Sequence, residues 1–252
     1  MIFSAEHIGV LVTLTLVTTA LCVWLRRTRH DYRAAAAQRR VCRALALVLI
    51  ATAVFEQFHA AATGRWDVTG SLPLHLCDIG VWVTAIALWL VTRDPQHPVA
   101  SPPAQSLYEL AYFWGLGGTL QAIITPDVEE PFPHIVFFRF FITHGGIVVG
   151  ALAMTIGLGL RPRRSAPWRV WRLTLALALV VLGINAALWA LGYPDANYMY
   201  LGGPADNPTI LDHLGPWPWS LLSLAALGTA LIALLYAPFW IVDHLRPAQT
   251  PG

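Results

Sequence analysis

Lysine is absent from this sequence, and charge of either sign is scarce. All 16 basic residues are Arg, and charged residues make up only 12% of the chain, against about 25% in an average soluble domain. A soluble protein of this size could not cover its surface with so few charges. The net charge of +2 also gives no electrostatic support for a nucleic-acid partner. The shortage of charge therefore excludes a soluble globular domain and argues against a nucleic-acid-binding protein.

Cysteine is scarce as well. The three cysteines, Cys22, Cys42 and Cys77, are an odd number without a CxxC spacing, so they fit neither a disulfide framework nor a zinc site. No Arg precedes the first apolar stretch, so residues 1–25 lack the positively charged start of a cleavable signal peptide. We therefore expect this stretch to be a first membrane span whose N-terminus lies outside.

What the sequence has in quantity is apolar residues. They make up 56% of the chain, with a mean hydropathy of +0.58, and they occur in runs close to the ~20 residues needed to cross ~30 Å of hydrocarbon. This pattern predicts an all-α, polytopic membrane helix bundle, located in the cell membrane as a multi-pass protein. Residues 1–252 are expected to form a single integral membrane domain. The predicted spans are 3–25, 44–62, 74–92, 105–125, 134–159, 172–192 and 217–240.

Arginine is concentrated in alternate connections between these spans. Residues 26–43 hold seven Arg and residues 160–172 hold five, while Arg93 and Arg246 lie in the third connection of this kind and in the C-terminal tail. The other connections carry a single Arg, Arg65. By the positive-inside rule, the N-terminus is expected outside and the C-terminus in the cytoplasm. The acidic residues of the outer connections are Asp67, Asp127, Glu129, Glu130, Asp195, Asp206 and Asp212.

Polar side chains inside the predicted spans are candidates for function, because they are costly in a membrane unless paired or hydrated. With the predicted orientation they gather in the outer half of the bilayer, from five helices. The exception is Glu109, which is expected near the cytoplasmic end of the fourth span and partly hydrated. The connection 193–216, rich in Pro, Gly, Asn and Asp, is expected to fold over this pocket as a cap. The pocket residues are Glu56, His59, His75, Cys77, Asp78, Gln121, Arg139, His144 and Asn185.

Some of these residues also have a purely structural interpretation. Gln121 and Asn185 are of the type that joins membrane helices by hydrogen bonds, and Glu56 with Arg139 could be an ion pair that only holds two helices together. A divalent metal ion is a competing use of the pocket's nitrogen and oxygen donors. No two of its histidines have the i, i+4 spacing of a specific metal motif, so neither a metal nor another cofactor is predicted. The ligands of such a metal site would be Glu56, His59, His75, Asp78 and His144.

The start of the third span places a thiol near a helix N-terminus. Pro73 suits the first turn of a helix, and Cys77 follows within about one turn, where the macrodipole favours a thiolate. On a helix, His75 and Cys77 would point to nearly opposite faces, whereas His75 and Asp78 would share one, so that Asp78 could orient His75. The base for the thiol must then come from another helix, and His144 is the best candidate.

Five segments of the sequence carry a resemblance to a known family. They resemble the YwaF-like bacterial integral membrane proteins, which are similar to eukaryotic transmembrane protein 164 and, more distantly, to the androgen-induced membrane hydrolases of fatty-acid esters. The similarity spans about residues 45–240. It implies a membrane-embedded acyl-transfer enzyme in which Cys77 is the nucleophile and His144 the base. The segments are Leu72-Pro-Leu-His-Leu-Cys-Asp78, Gly117-Gly-Thr-Leu-Gln-Ala-Ile-Ile-Thr-Pro-Asp127, Phe137-Phe-Arg-Phe-Phe-Ile-Thr-His-Gly-Gly146, Asn197-Tyr-Met-Tyr-Leu201 and Gly215-Pro-Trp-Pro-Trp219.

Three functions are compatible with these patterns. The first is a thiol-dependent lipid acyltransferase or fatty-acyl ester hydrolase with a membrane lipid as substrate, in which Gln121, Asn185 or Arg139 stabilises the oxyanion. The second is a non-enzymatic transporter or small-molecule or ion-binding protein that uses the same pocket. The third is a structural membrane partner without chemistry. The sequence predicts neither the acyl chain nor the oligomeric state. In the enzymatic function, the residues that support Cys77 and His144 would be His75, Asp78, Gln121, Arg139, Asn185, Glu56 and His59.

Overall fold

The computed structural model describes residues 3–91, 101–126, 128, 130–203 and 213–245, and within these ranges the regular elements are all helical. Two π-helical turns extend them: Gly115–Thr119 joins α4 to α5, and Ala153–Gly157 continues α6. The α4–α5 pair is therefore one rod, which makes seven rods in the described ranges. The helices are α1 (Ala5–Thr28), α2 (Ala35–Ala62), α3 (Leu76–Val91), α4 (Pro102–Trp114), α5 (Leu120–Ile124), α6 (Ile135–Leu152), α7 (Ala166–Ala190) and α8 (Trp219–Leu245).

The prediction of a helical membrane bundle is confirmed. Each predicted span falls on one rod, and five rods are long and apolar enough to cross a membrane: α1, α2, α6 with its π-helical turn, α7 and α8. The helix α3 is apolar but has only 16 residues, about 24 Å at 1.5 Å per residue. The chain is therefore a multi-pass membrane protein. The loop residues Arg93, Asp127, Glu129, Asp206, Asp212 and Arg246, used above to predict orientation, lie outside the described residues.

The Arg-rich connection before α2 is shorter than predicted. The helix α2 begins at Ala35, nine residues before the expected position 44, because the segment 35–43 consists largely of Ala, Arg and Gln, which are strong helix formers. The helix α7 likewise begins at Ala166 rather than 172, with a proline among its first residues, where a missing N–H costs nothing. Much of the predicted cytoplasmic charge therefore lies on the ends of helices.

The helix α6 is the centre of the bundle. In its most apolar stretch 56% of the residues are buried, whereas no residue of α8 is buried. Small residues allow this, since a Cβ added at Gly146 would lie 2.8 Å from a Leu49 methyl on α2, and one at Gly150 would lie 2.7 Å from Thr84 on α3. Helix backbones approach this closely in membranes where glycine is at the contact. The position of α6 brings residues of its first turns against α2 and α3.

Glycine also explains the break within the α4–α5 rod. The segment Gly115–Thr119 contains three glycines, which are weak helix formers, and it makes one π-helical turn. A Leu76 methyl lies 3.6 Å from the position that a Cβ of Gly118 would occupy. The first residue of α3 therefore packs against the π-helical turn, a type of irregularity that is frequent at functional sites.

Glu109 does not have the hydrated environment that the sequence suggested. Its side chain is fully buried, and it pairs with Arg169 and with Nε of Arg163 at 2.9 Å. The amide of Gln105 donates to the same carboxylate at 3.0 Å. The expectation of hydration was wrong because the connection between α6 and α7 and the first turn of α7 lie against α4. Arg163 and Arg169 there pair with the Glu109 carboxylate, which water would otherwise solvate.

Candidate functional site

An ion pair links α2 to α6 at one end of the bundle. Glu56 lies in the last two turns of α2 and pairs with Arg139, in the second turn of α6. Both side chains are partly exposed, Glu56 by 35% and Arg139 by 21%. The pair is thus accessible from outside the protein and forms one wall of a polar cluster. We use the term polar cluster for Glu56, His75, Cys77, Asp78, Arg139 and His144.

The residues at the start of α3 form the second part of the polar cluster. The helix starts later in the sequence than predicted. The helix begins at Leu76, so Pro73 lies before it and His75 precedes its first residue. One oxygen of Asp78 accepts the backbone N–H of His75 at 3.1 Å, as the third helical residue does in a capping box. The predicted contact between these two residues exists, but it orients the backbone of His75 rather than its imidazole. Since His75 is not on the helix, the expectation that it points away from Cys77 does not apply.

Cys77 is the second residue of α3 and is half-buried. Its thiol lies 3.8 Å from the other oxygen of Asp78, which it contacts as a weak S–H donor. Asp78 therefore holds the backbone of His75 with one oxygen and the thiol of Cys77 with the other. The carboxylate of Glu56 also acts electrostatically on this thiol.

The tautomer of His144 is set by a backbone carbonyl group. Its Nδ1 lies 2.8 Å from the carbonyl oxygen of Phe140, and because a carbonyl can only accept, Nδ1 carries the proton. In the neutral ring Nε2 is then left as a proton acceptor. The ring also stacks on Phe140 with centroids 4.1 Å apart. Arg139 and His75 both act electrostatically on His144, so this imidazole belongs to the same cluster.

The described part of the connection after α7 covers His75. The backbone N–H of Met199 donates to Nδ1 of His75 at 3.3 Å, and the rings of Tyr198 and Tyr200 lie 5.5 and 5.3 Å from the His75 ring. Met199 and Tyr200 both have positive φ angles, 57° and 56°, which is strained backbone for residues with a side chain. Sequence reasoning missed the role of these residues, although the segment Asn197–Leu201 was part of the family resemblance.

Asn185 of α7 holds this turn in place. Its amide nitrogen donates to the carbonyl oxygen of Tyr198 at 3.0 Å, and its amide oxygen accepts the Tyr198 N–H at 3.1 Å. Tyr198 is fully buried, and its hydroxyl donates to Val68 and accepts from Leu72. Burial raises the pKa of this phenol, which keeps the donating proton in place. Asn185 therefore has a structural hydrogen-bonding role, but its partner is a turn in the connection after its own helix and not another membrane helix.

The comparisons with known proteins identify the family. The model of the TMEM164 family matches residues 2–236, nearly the whole chain. The chain belongs to the TMEM164 family. No curated protein and no solved structure matches it. The predicted similarity to transmembrane protein 164 is thereby confirmed, while the resemblance to the YwaF-like proteins and to the fatty-acid-ester hydrolases stays a prediction.

Two predicted pocket residues of this TMEM164-family protein lie apart from the polar cluster. His59 stacks on Phe55 and accepts a hydrogen bond from Arg65 at 3.2 Å, so its partners belong to the end of α2 and the connection that follows. The side chain of Gln121 on α5 is exposed. The sequence grouped both residues with the others because it gives their depth in the membrane but not the direction in which they point.

The polar cluster does not have the form of a metal centre. Among the residues that the structure describes, no three His, Cys, Asp or Glu side chains come together as ligands could. Glu56 is already paired with Arg139. In this TMEM164-family protein, the arrangement brings together a thiol, an ion pair and two imidazoles whose Nδ1 atoms are bound by backbone groups.

Proposed function

We propose that this protein is a membrane-embedded, thiol-dependent acyltransferase or acyl ester hydrolase that acts on lipids. The observation that carries the proposal is the tautomer of His144, whose Nε2 is free to accept a proton in a cluster that also contains Cys77. A nucleophile with a base oriented by a third group is the general arrangement of covalent catalysis. Here the carbonyl oxygen of Phe140 is the orienting group.

The proposed reaction has two halves. The sulfur of Cys77 attacks the acyl carbonyl carbon while Nε2 of His144 takes the thiol proton, and the carbonyl electron pair moves to its oxygen. When the intermediate collapses, the C–O bond to the leaving alcohol breaks, and His144 returns the proton to that oxygen. The acyl group is then a thioester on Cys77. An acceptor alcohol or water completes the cycle: its oxygen attacks the thioester carbonyl carbon while His144 takes its proton, the C–S bond breaks, and the proton returns to the sulfur of Cys77.

A lipid substrate is supported by the surroundings of α6. An apolar groove of about 430 Å³ lies between α1, α5 and α6 and includes Gly145, Val148 and Leu152. Its volume is within the roughly 300–1,000 Å³ of small-molecule sites. Gly145, at one end of the groove, directly follows His144 on α6, so this end of the groove lies at the same level of the bundle as the polar cluster. The partly exposed pair of Glu56 and Arg139 gives the headgroup a polar environment.

The transport alternative has less support. A transported ion or proton needs polar groups along the whole bundle, and Glu109, toward the opposite end from the polar cluster, is fully buried and paired with Arg163 and Arg169. This carboxylate joins α4 to the connection before α7 and does not line an open path.

The test is covalent capture of the acyl group. Purified protein in detergent is incubated with p-nitrophenyl palmitate, p-nitrophenol release is followed, and the peptide that contains Cys77 is analysed for a hydroxylamine-sensitive palmitoyl group. We expect the wild type to form this thioester and Cys77→Ala to form none. His144→Gln should form it at least 100-fold more slowly, since a general base contributes about 10²–10⁴-fold.

The matched control is His244→Gln. His244 near the end of α8 has a similar local geometry to His144, with Nδ1 at 2.7 Å from the carbonyl oxygen of Trp240 and its ring packed against Trp240 with centroids 4.2 Å apart. It lies outside the polar cluster, so this variant should react like the wild type. An unmodified Cys77 in the wild type, or unchanged rates in Cys77→Ala or His144→Gln, would contradict the proposed function.

A further inference from the structure

The acyl-transfer reaction proposed above needs a donor for the oxyanion, and the three donors suggested by the sequence are poorly placed for it. Gln121 is exposed on α5. Both amide atoms of Asn185 bond the backbone of Tyr198. Arg139 is paired with Glu56. A different group therefore has to hold the negative oxygen of the tetrahedral intermediate, which is where catalysis of acyl transfer gains most.

His75 has the required proton in a fixed position. Because the backbone N–H of Met199 donates to Nδ1 of His75, Nδ1 is unprotonated, and the neutral ring carries its proton on Nε2. Two backbone groups thus give the two histidines opposite tautomers. His144 presents Nε2 as an acceptor, and His75 presents Nε2–H as a donor.

The position of His75 is determined by the same residues that hold the thiol. Asp78 binds the His75 N–H with one oxygen and the Cys77 thiol with the other. His75 is therefore held at the start of α3, two residues before Cys77. His75 also acts electrostatically on His144, so the two imidazoles belong to the same cluster. The rings of Tyr198 and Tyr200 pack against the imidazole.

The geometry points to the imidazole of His75 as the oxyanion donor of this site, with its Nε2–H directed at the acyl carbonyl oxygen. This inference rests on the proposed function and adds a catalytic residue to it. As the thiolate adds to the carbonyl, Nε2–H of His75 donates to the oxygen that takes up the electron pair, and it keeps its proton throughout. Asn185 is then a positioning residue, because it holds the turn whose Met199 N–H sets the tautomer.

This role of His75 explains why the turn at Met199 and Tyr200 is strained. Two consecutive residues with positive φ are unfavourable for side chains other than glycine, and the fully buried Asn185 and Tyr198 hold them in place. The result of the strain is one N–H that points at Nδ1 of His75. A relaxed turn would allow the ring to exchange tautomers and lose its donor.

The experiment compares two reactions of the same thiol. Acylation of Cys77 by p-nitrophenyl palmitate passes through an oxyanion, whereas alkylation by iodoacetamide displaces iodide directly and forms none. Both rates are measured on the Cys77 peptide for wild type, His75→Phe, His75→Gln and the control His244→Phe. Phe keeps the ring without a donor, and Gln offers an amide N–H at a similar reach.

We expect His75→Phe to lower the acylation rate about 100- to 1,000-fold, as loss of one oxyanion donor does, and to leave alkylation within about 3-fold. His75→Gln should recover at least about 10-fold of the lost acylation, and His244→Phe should change neither rate.

Three results would overturn the role of His75. The first is a loss of the acylation rate in His75→Phe that exceeds the loss of the alkylation rate by less than about 10-fold. The second is an equal loss of both rates, and the third is an acylation rate that His75→Gln does not restore. A wild type that alkylates but does not acylate at Cys77 contradicts the proposed function instead, so the two failures are distinguishable.

Discussion

Within the part of the chain that the structure describes, a histidine donates from Nδ1 to the carbonyl four residues earlier in two places, and the surroundings distinguish the two cases. In both His144 and His244 the ring also packs against the aromatic side chain of the residue that accepts this hydrogen bond. His144 is near Arg139 and His75, whereas the described partners of His244 are on its own helix. The local geometry sets the tautomer, and the neighbouring helices decide what the free nitrogen can reach.

Glu109 is a residue whose role is stability rather than chemistry. Glu109→Gln removes a buried charge and leaves Arg163 and Arg169 with a neutral partner. Because breaking a buried pair costs up to about 3–5 kcal/mol and these two arginines are partly exposed, we expect the free energy of unfolding to fall by about 2–3 kcal/mol. Denaturant unfolding in detergent, followed by circular dichroism, measures it.

The control for Glu109 is the pair of Asp243 and Arg161, which are 2.8 Å apart and both partly exposed. Asp243→Asn should cost less than about 1 kcal/mol, as other exposed pairs do. Equal losses in the two variants would mean that the burial of Glu109 adds nothing to the stability.

At the scale of elements, the contact between α6 and α3 positions His144 relative to Cys77. The two helices meet closely because Gly150 has no side chain at the point where Thr84 and Leu88 approach α6. A larger residue has to separate the helices or displace these side chains. The spacing of α3 and α6 therefore depends on a glycine that lies six residues beyond His144.

Gly150→Ala should destabilise the bundle. The added Cβ would lie 2.7 Å from Thr84 and 3.2 Å from Leu88, and overpacking of this kind costs about 1–3 kcal/mol. Gly183→Ala is the matched control, since it lies inside α7 with nothing within 4 Å of the added Cβ, and it should be neutral or stabilise by up to about 1 kcal/mol. Thermal unfolding in detergent compares them, and a Gly150→Ala variant as stable as Gly183→Ala would contradict the close contact.

At the scale of the whole molecule, the polar cluster lies at one end of the bundle, where α2 ends and α3 and α6 begin. The side of the membrane on which this end lies decides which leaflet supplies the lipid. The distribution of Arg predicts the outer side. Arg33, between α1 and α2, and Gly70, between α2 and α3, should then face opposite sides of the membrane.

Single cysteines test this orientation. In a background without Cys22, Cys42 and Cys77, a membrane-impermeant maleimide applied to intact cells should label Gly70→Cys but not Arg33→Cys, and both after the cells are opened. Both positions are exposed, and Gly70 has open space for a side chain. Labelling of Arg33→Cys alone in intact cells would reverse the orientation and place the polar cluster on the cytoplasmic side.

Much of the fold could be predicted from the sequence, because the helices depend on local properties. Apolar runs of sufficient length, separated by polar connections, predicted the seven rods of the described ranges, and the largest error of position occurred where a polar segment had high helix propensity, at Ala35. The members of the site could be predicted less well. Depth along a helix grouped Glu56, Cys77 and Arg139 together, but it also included His59 and Gln121, which point elsewhere.

The sequence by itself determined that this protein is a helical membrane bundle, that polar residues concentrate toward one end of it, and that Cys77 begins a helix. The tertiary structure alone decided what each polar group does. Met199 sets the tautomer of His75 from 124 positions away, and Asn185 is occupied by Tyr198 on another element. Hydrophobicity acts through runs of neighbouring residues and can be recognised in the sequence. A hydrogen bond between distant residues depends on how the helices pack, so the donors and acceptors of this site become evident only in the folded chain.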